Sequence, residues 1–184
     1  HQLRYVLGDS LFFATMQAYA TDPALRYSSA TITDFNNKVN QVTGENYNWF
    51  FDEWIYQPNH PVYHNTYNFE DMGNGEWKVN LFLKQDQTNA PFFKMPVEVS
   101  VHFIDGTDTT FRFMNEVNYQ QAWWVFNKRP IFFKFDPSNM IVLKGGSTMV
   151  GTEDLFAGNG ILLNQNVPNP VSSTTRISYM IDHP

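Results

Sequence analysis

The hydrophobic pattern of this chain changes within the stretch Trp49-Phe50-Phe51-Asp52-Glu53-Trp54-Ile55-Tyr56-Gln57-Pro58-Asn59-His60-Pro61. Before this stretch, apolar residues recur at helical spacing, as in Leu3, Val6 and Leu7. After it the period falls to two, and the two prolines prevent a helix from continuing across the change. The pattern therefore predicts an α+β chain, in which a short helical segment over residues 1–58 precedes an antiparallel β-sandwich.

The helical segment carries its own start and stop signals. Gly8 is a plausible stop for the first helix, and Asp22 followed by proline ends the second. Thr31 and Asp34 have the spacing of a capping box at the start of the third helix, which Gly44 closes. These signals predict four short helices joined by short links.

Strict alternation marks the strands that follow. Val97, Val99 and Val101 alternate with Glu98, Ser100 and His102, which predicts one buried and one exposed face. Turn signals lie at 73–75 and 105–106, and further strands are expected at 109–114, 119–126, 131–136 and 139–143. About seven short strands predict an immunoglobulin-like β-sandwich over residues 59–144. The glycine-rich residues 145–160 are interpreted as a linker, and 161–184 as a separate segment.

Composition narrows the classes of function. The 184-residue chain has a formal net charge of −6 and no cysteine. The negative charge argues against nucleic acid as a partner. The lack of cysteine excludes disulfides, thiolate zinc sites and cysteine nucleophiles within this chain. No apolar run approaches the roughly 18 residues of a transmembrane helix, so no membrane span is expected.

Several stretches together resemble the aminopeptidase N-like zinc metallopeptidases, a gluzincin family. The matching stretches are Leu3-Arg4-Tyr5-Val6-Leu7-Gly8-Asp9-Ser10-Leu11-Phe12, Thr33-Asp34-Phe35, Trp49 to Pro61, and Phe93-Lys94-Met95-Pro96-Val97-Glu98-Val99. The resemblance implies the passage from a helical catalytic domain into a β-sandwich. It implies a parent enzyme that removes N-terminal residues from peptides, with zinc as its cofactor.

The family's catalytic groups cannot be carried over to this chain. Members of the family hold zinc through a His-Glu-x-x-His-x18-Glu pattern, followed by an oxyanion-binding tyrosine, and no histidine here is followed by glutamate. The expectation is therefore no catalytic, cofactor-binding or metal-binding residue in this segment, and zinc in the parent protein. The expected partners are the rest of the catalytic domain and the parent's peptide substrates.

The other chemistry-bearing residues have ordinary explanations. His60 and His64 are four apart, but Pro61 interrupts any helix that would bring them to one face. Asp105-Gly106-Thr107-Asp108 offers oxygen ligands, yet it lacks the length and the closing glutamate of a calcium loop and is better explained as a hairpin turn. The neighbouring carboxylates Asp52 and Glu53 should diverge and not form an acid/base pair.

The helical aromatics suggest a surface that this segment alone does not cover. Phe50, Phe51 and Trp54 are expected to pack partly on the sandwich and partly on protein outside the segment. The corresponding expectation is an exposed apolar patch on the helices.

Two adjacent tryptophans leave a second class of function open. On a strand, Trp123 and Trp124 point to opposite faces, so one should enter the core. The other, if exposed beside Tyr119 or Phe132, could stack on sugar rings. The alternative function is accordingly a carbohydrate-binding or adhesion β-sandwich module of a secreted bacterial protein.

The last residues resemble the start of a type IX secretion sorting domain, found at the ends of exported proteins of Bacteroidetes-type bacteria. The resemblance rests on Gln165-Asn166, Pro168-Asn169-Pro170 and Thr175-Arg176-Ile177-Ser178-Tyr179. It implies a secreted or cell-surface protein, and a sorting module of which residues 161–184 hold only the first part.

Overall fold

The computed structural model describes residues 1–142, 145–151, 161–163 and 179–181. Its helices are α1 (Gln2–Thr21), α2 (Ile32–Thr43) and α3 (Asn48–Phe51), with a π-helical turn at Asp52–Tyr56. Its strands are β1 (Val62–Gly73), β2 (Glu76–Leu83), β3 (Met95–Phe103), β4 (Asp108–Asn115), β5 (Gln120–Phe126), β6 (Pro130–Phe135), β7 (Gly145–Val150), β8 (Ile161–Leu163) and β9 (Tyr179–Ile181). The predicted α+β class, with helices first and strands after, is confirmed. Within these residues, no helix has both the length and the apolar character needed to cross a bilayer.

The predicted helix signals act where the sequence places them. Gly8 has φ 76° and ψ 165° and kinks α1, dividing it into two helical pieces. At the start of α2, the Asp34 amide donates to Thr31 Oγ1 over 3.2 Å, and the Thr31 amide donates to Asp34 Oδ2 over 2.8 Å. Gly44 ends that helix in the left-handed conformation, with φ 75°. Local chemistry thus sets the limits of the helical segment.

Replacing Thr31 with alanine is expected to lower the free energy of unfolding by about 1 kcal/mol, because the first turn of α2 then loses its side-chain acceptor. The control is Thr33→Ala, which changes an exposed threonine two residues along the helix. Urea unfolding followed by far-ultraviolet circular dichroism measures both. Equal effects of the two substitutions would contradict the capping role.

The strands form two sheets that share one core. One sheet has the order β5-β2-β1-β7 and the other β4-β3-β6. Val97, Val99 and Val101 of β3 are fully buried, as the alternation predicts. Rings from the two sheets meet between them, with Tyr67 stacked 4.8 Å from Phe133. The sandwich is therefore closed by side chains from both sheets.

The structure corrects the interpretation of residues 145–160 as a linker. Gly145–Val150 forms β7, which pairs in parallel with β1 from Val62 to Tyr67. β1 is 12 residues long and sits next to the edge of its sheet, so β7 satisfies backbone groups that would otherwise be unpaired. Glycine weakens a strand but does not exclude one at a sheet edge. Residues 152–160 lie outside the described residues.

The strand expected at 139–143 is also absent from its described part, residues 139–142. Asp136, buried and with φ 47°, accepts hydrogen bonds from the amides of Met140 (2.8 Å) and Ile141 (3.0 Å). This carboxylate folds the segment into a turn and uses the amides that a strand would need for pairing.

The C-terminal residues contribute one further pair of strands. β8 and β9 pair antiparallel, with Ile161 opposite Ile181. The Gln165-Asn166 and Pro168-Asn169-Pro170 elements of the sorting resemblance lie outside the described residues.

The helical segment and the sandwich are packed together. Tyr5 of α1 is buried in the same cluster as the sandwich core, and Trp54 contacts both this cluster and the helical one. Gln2 donates from Nε2 to the Met140 carbonyl over 2.9 Å, and Arg112 donates to the Tyr5 carbonyl. This junction is where the chemistry-bearing side chains of the two parts meet.

Candidate functional site

The described histidines lie apart from one another in the fold. His60 is exposed before β1, while His64 Nδ1 lies 2.9 Å from Ser147 Oγ on β7. His102 lies on the outer face of β3, as predicted, with its Nδ1 against Asp108 across the strand pair. Among the described residues, no three or more His, Asp or Glu side chains come together as metal ligands would.

A cleft of about 500 Å³ opens between α1 and β4 at the junction. Its charged lining includes Arg4, Asp9, Glu98 and Arg112. Arg4 makes two 2.8 Å hydrogen bonds to Asp9 across the Gly8 kink, and these lower the pKa of the Asp9 carboxyl. Arg112 lies opposite Glu98 in the strand register. The cleft therefore balances its charges internally and does not present an excess of one sign.

Tyr5 anchors the floor of this cleft. The Arg112 guanidinium lies 4.8 Å from the centre of its ring, an arrangement that favours cation–π attraction. Burial raises the pKa of the Tyr5 hydroxyl to about 12. Tyr5 belongs to the cluster of the sandwich core and its carbonyl accepts a hydrogen bond from Arg112, so the residues around the cleft hold α1 against the sandwich.

A second group of polar atoms at the junction lies in the π-helical turn. Glu53 and Trp54 follow one another in the π-helical turn, and Glu53 Oε2 and Trp54 Nε1 are both buried without a hydrogen-bond partner among the described residues. Burial raises the pKa of Glu53 to about 7, opposed by the backbone amide and the charge of Lys94. Asp52, by contrast, is exposed. The two neighbouring carboxylates therefore lie in different surroundings, and sequence reasoning missed the partial burial of Glu53.

The outer surface of α1 is mixed and carries exposed apolar side chains among polar ones. Its inner side faces α2, where Tyr19 packs 5.1 Å from Phe35 and Thr15 is fully buried. Phe13 is 54% exposed, with the Arg4 guanidinium 5.1 Å from its ring centre, and Met16, three positions further along and therefore on the same face, is exposed as well. Apolar side chains are therefore exposed on the helices, as expected, but not where they were expected, since Phe50 and Phe51 are buried in the helical core. We call Phe13 and Met16 the α1 patch.

The two adjacent tryptophans point to opposite faces of β5, as predicted. Trp124 packs against Phe111 and Phe113, with ring centroids 5.0 Å and 5.6 Å away. Trp123 is 63% exposed, and the Lys78 ammonium lies 5.7 Å from its ring centre. Exposed Phe132 belongs to β6 in the other sheet, so it does not extend a surface around Trp123.

Comparison with known proteins finds a relative in structure only. No known family and no curated protein matches this sequence. The crystal structure of Legionella pneumophila aminopeptidase A in complex with aspartic acid matches with a TM-score of 0.57 and 13% sequence identity. The match covers 78% of this chain and 16% of the Legionella chain. The chain thus shares its fold with a small part of an aminopeptidase.

Proposed function

We propose that this chain is the C-terminal part of a secreted zinc-dependent aminopeptidase and is itself non-catalytic. In this proposal the helical segment completes the catalytic domain, and the sandwich supports that domain from behind. The fold shared with part of the Legionella enzyme supports the assignment to a peptidase-related segment. The zinc and its ligands belong to the parent protein outside residues 1–184, and no catalytic role falls on this chain.

The α1 patch is the observation that carries the proposal. In the described structure α1 packs against the other helices and the sandwich, and the two side chains of the α1 patch stay uncovered. Large exposed apolar patches mark surfaces that another protein surface covers. The rest of the catalytic domain is the partner that fits, because the same helix already contributes Leu3 and Leu7 to the helical core.

The first experiment compares this chain with a longer product of the same gene that includes about 150 codons upstream of His1. Hydrolysis of aminoacyl-p-nitroanilides and zinc content per chain are measured for both. The proposal expects activity and one zinc in the longer protein only. An upstream sequence without His-Glu-x-x-His and its following glutamate would refute the enzyme assignment.

A substitution in the α1 patch separates docking from folding. Met16→Lys is expected to change the free energy of unfolding of this chain by no more than about 0.5 kcal/mol, because Met16 is exposed. In the longer protein the same change places a charge in an apolar interface and should markedly lower the yield of active enzyme. The control is Asn37→Lys, at an exposed polar position on α2. Equal yields for the two variants would contradict docking through α1.

Carbohydrate binding remains a second candidate, favoured by the exposure of Trp123. A flat ring that is 63% exposed on an outer sheet face offers a stacking surface. Affinity electrophoresis in gels containing soluble polysaccharides tests this function, with Trp123→Ala as the variant. Identical mobility in gels with and without polysaccharide would eliminate it.

Secretion to the cell surface by the type IX route is the proposed localisation, supported by the sequence resemblance within 161–181. Deleting residues 161–184 from the gene in its native host should retain the protein inside the cell. Unchanged export of the shortened protein would overturn this part of the proposal.

A further inference from the structure

The π-helical turn connects the helical core to the sandwich through two neighbouring side chains. Trp54 stacks on Phe50 of the helical core with centroids 6.2 Å apart, and meets Phe93 of the sandwich side at 5.3 Å. Glu53 precedes it and is half-buried in the same junction. Any change in the charge of Glu53 therefore acts at the contact that joins the two parts of the chain.

The surroundings of Glu53 stabilise its ionised carboxylate poorly. Its Oε2 is buried and makes no hydrogen bond to any described residue. The Lys94 backbone amide and charge favour the anion, but burial outweighs them, because an incompletely hydrogen-bonded charge in a half-buried place is costly and a neutral carboxyl there costs less. π-Helical turns are rare and often lie at functional positions, which makes an unexplained acid in one a candidate for a role.

The charged and titratable groups around Glu53 do not remove this cost. Lys94, next to β3, attracts it, but the Lys94 ammonium is engaged with Glu116 at 3.2 Å and lies 5.4 Å from the Trp49 ring centre. Asp52 of the same turn repels it. Tyr63 of β1 interacts electrostatically with Glu53, and burial raises the pKa of the Tyr63 hydroxyl. The surroundings thus favour a neutral Glu53.

We propose that Glu53 is a pH-sensitive latch, which holds the π-helical turn on the sandwich when neutral and loosens it when ionised. Since burial raises the pKa of Glu53 from 4.5 to about 7, the neutral form is favoured in the folded junction. The stabilisation is complete below pH 4.5 and is lost progressively as the pH rises to about 7. The helical segment is therefore held more firmly in mildly acidic surroundings.

Hydrogen exchange of the whole chain tests the latch. Protection of the amides in residues 49–57, corrected for the intrinsic pH dependence of exchange, should fall by at least about tenfold between pH 5 and pH 8. Glu53→Gln keeps the shape without the charge, so its protection should not change with pH. The matched control is Glu76→Gln, at an exposed glutamate in the β1–β2 turn, which should behave as the unmodified chain does.

A direct titration of Glu53 tests the proposed latch independently of the variants. The Glu53 carboxyl carbon, followed by NMR in the unmodified chain, should titrate clearly above its usual range. Titration near 4.5, or an equal loss of protection in Glu53→Gln and the unmodified chain, would overturn the proposal.

Discussion

Replacing Gln85 with alanine is expected to lower the free energy of unfolding by about 4 kcal/mol, because the substitution strands several buried polar groups. Gln85 is only 3% exposed. Its Nε2 donates to the Tyr63 hydroxyl and to the Phe93 carbonyl, each over 2.8 Å, and its Oε1 accepts from the Phe93 amide over 2.8 Å. Each buried group left without a partner costs about 1–3 kcal/mol, and the vacated space adds to the loss.

Urea unfolding of the Gln85→Ala variant measures this effect. The matched control is Gln121→Ala, since Gln121 is an exposed glutamine on β5. The control should stay within about 0.5 kcal/mol of the unmodified chain. A loss below about 1.5 kcal/mol at Gln85 would mean that the surrounding groups find other partners.

The position of Gln85 explains why its replacement should also destabilise the helical segment. Through Phe93 it fixes the segment that leads into β3, and the Phe93 ring packs against Trp54. A fully satisfied buried polar network specifies one arrangement of its neighbours. Gln85 thus supports the sandwich side of the junction, and the helical segment depends on it indirectly.

Local signals explain which parts of the fold the sequence predicts. The capping box at Thr31 and the helix end at Gly44 are two separate local features. Each involves residues at most four positions apart along the chain, so its chemistry is visible in the sequence. The same holds for the alternation in β3, where a period of two is sufficient to assign the buried valines. Such features need no knowledge of distant partners.

Long-range pairing explains what the sequence could not predict. β7 joins β1 across more than 80 residues, and its glycine-rich composition carries no sign of that partner. Likewise, the turn at Asp136 forms because a buried carboxylate accepts amides that a strand would use. The Asp136 bonds are local, but the burial of its carboxylate is a tertiary feature that the local pattern does not show, as is the pairing of β7.

The features of the candidate site also divide into those that local signals predict and those that depend on distant residues. An apolar patch on the helices was expected from Phe50, Phe51 and Trp54, not from α1. Exposure of one tryptophan of the Trp123–Trp124 pair was anticipated, because alternation on a strand is a local property. Burial of Glu53 was not, because it depends on the sandwich residues near Lys94 and Tyr63 that close over the π-helical turn. The one signal of this burial in the sequence is the position of Glu53 among the apolar residues Phe50, Phe51 and Trp54.

Replacing Trp54 with alanine is expected to cost about 3 kcal/mol and to uncouple the helical segment from the sandwich. Trp54 contacts both hydrophobic clusters, so its removal leaves a gap between them. The helical segment should then unfold at a lower urea concentration than the sandwich, giving two transitions in place of one.

Two further substitutions make this expectation specific to the Trp54 ring. Trp54→Phe keeps an aromatic ring between Phe50 and Phe93 and removes the unpartnered indole N–H, so it should cost less than about 1.5 kcal/mol and preserve a single transition. Trp123→Ala removes a tryptophan that is 63% exposed and should stay within about 0.5 kcal/mol of the unmodified chain. If Trp54→Ala unfolded in one transition with a similarly small loss, the two parts would be held together by the α1 contacts of Tyr5 and Gln2 instead.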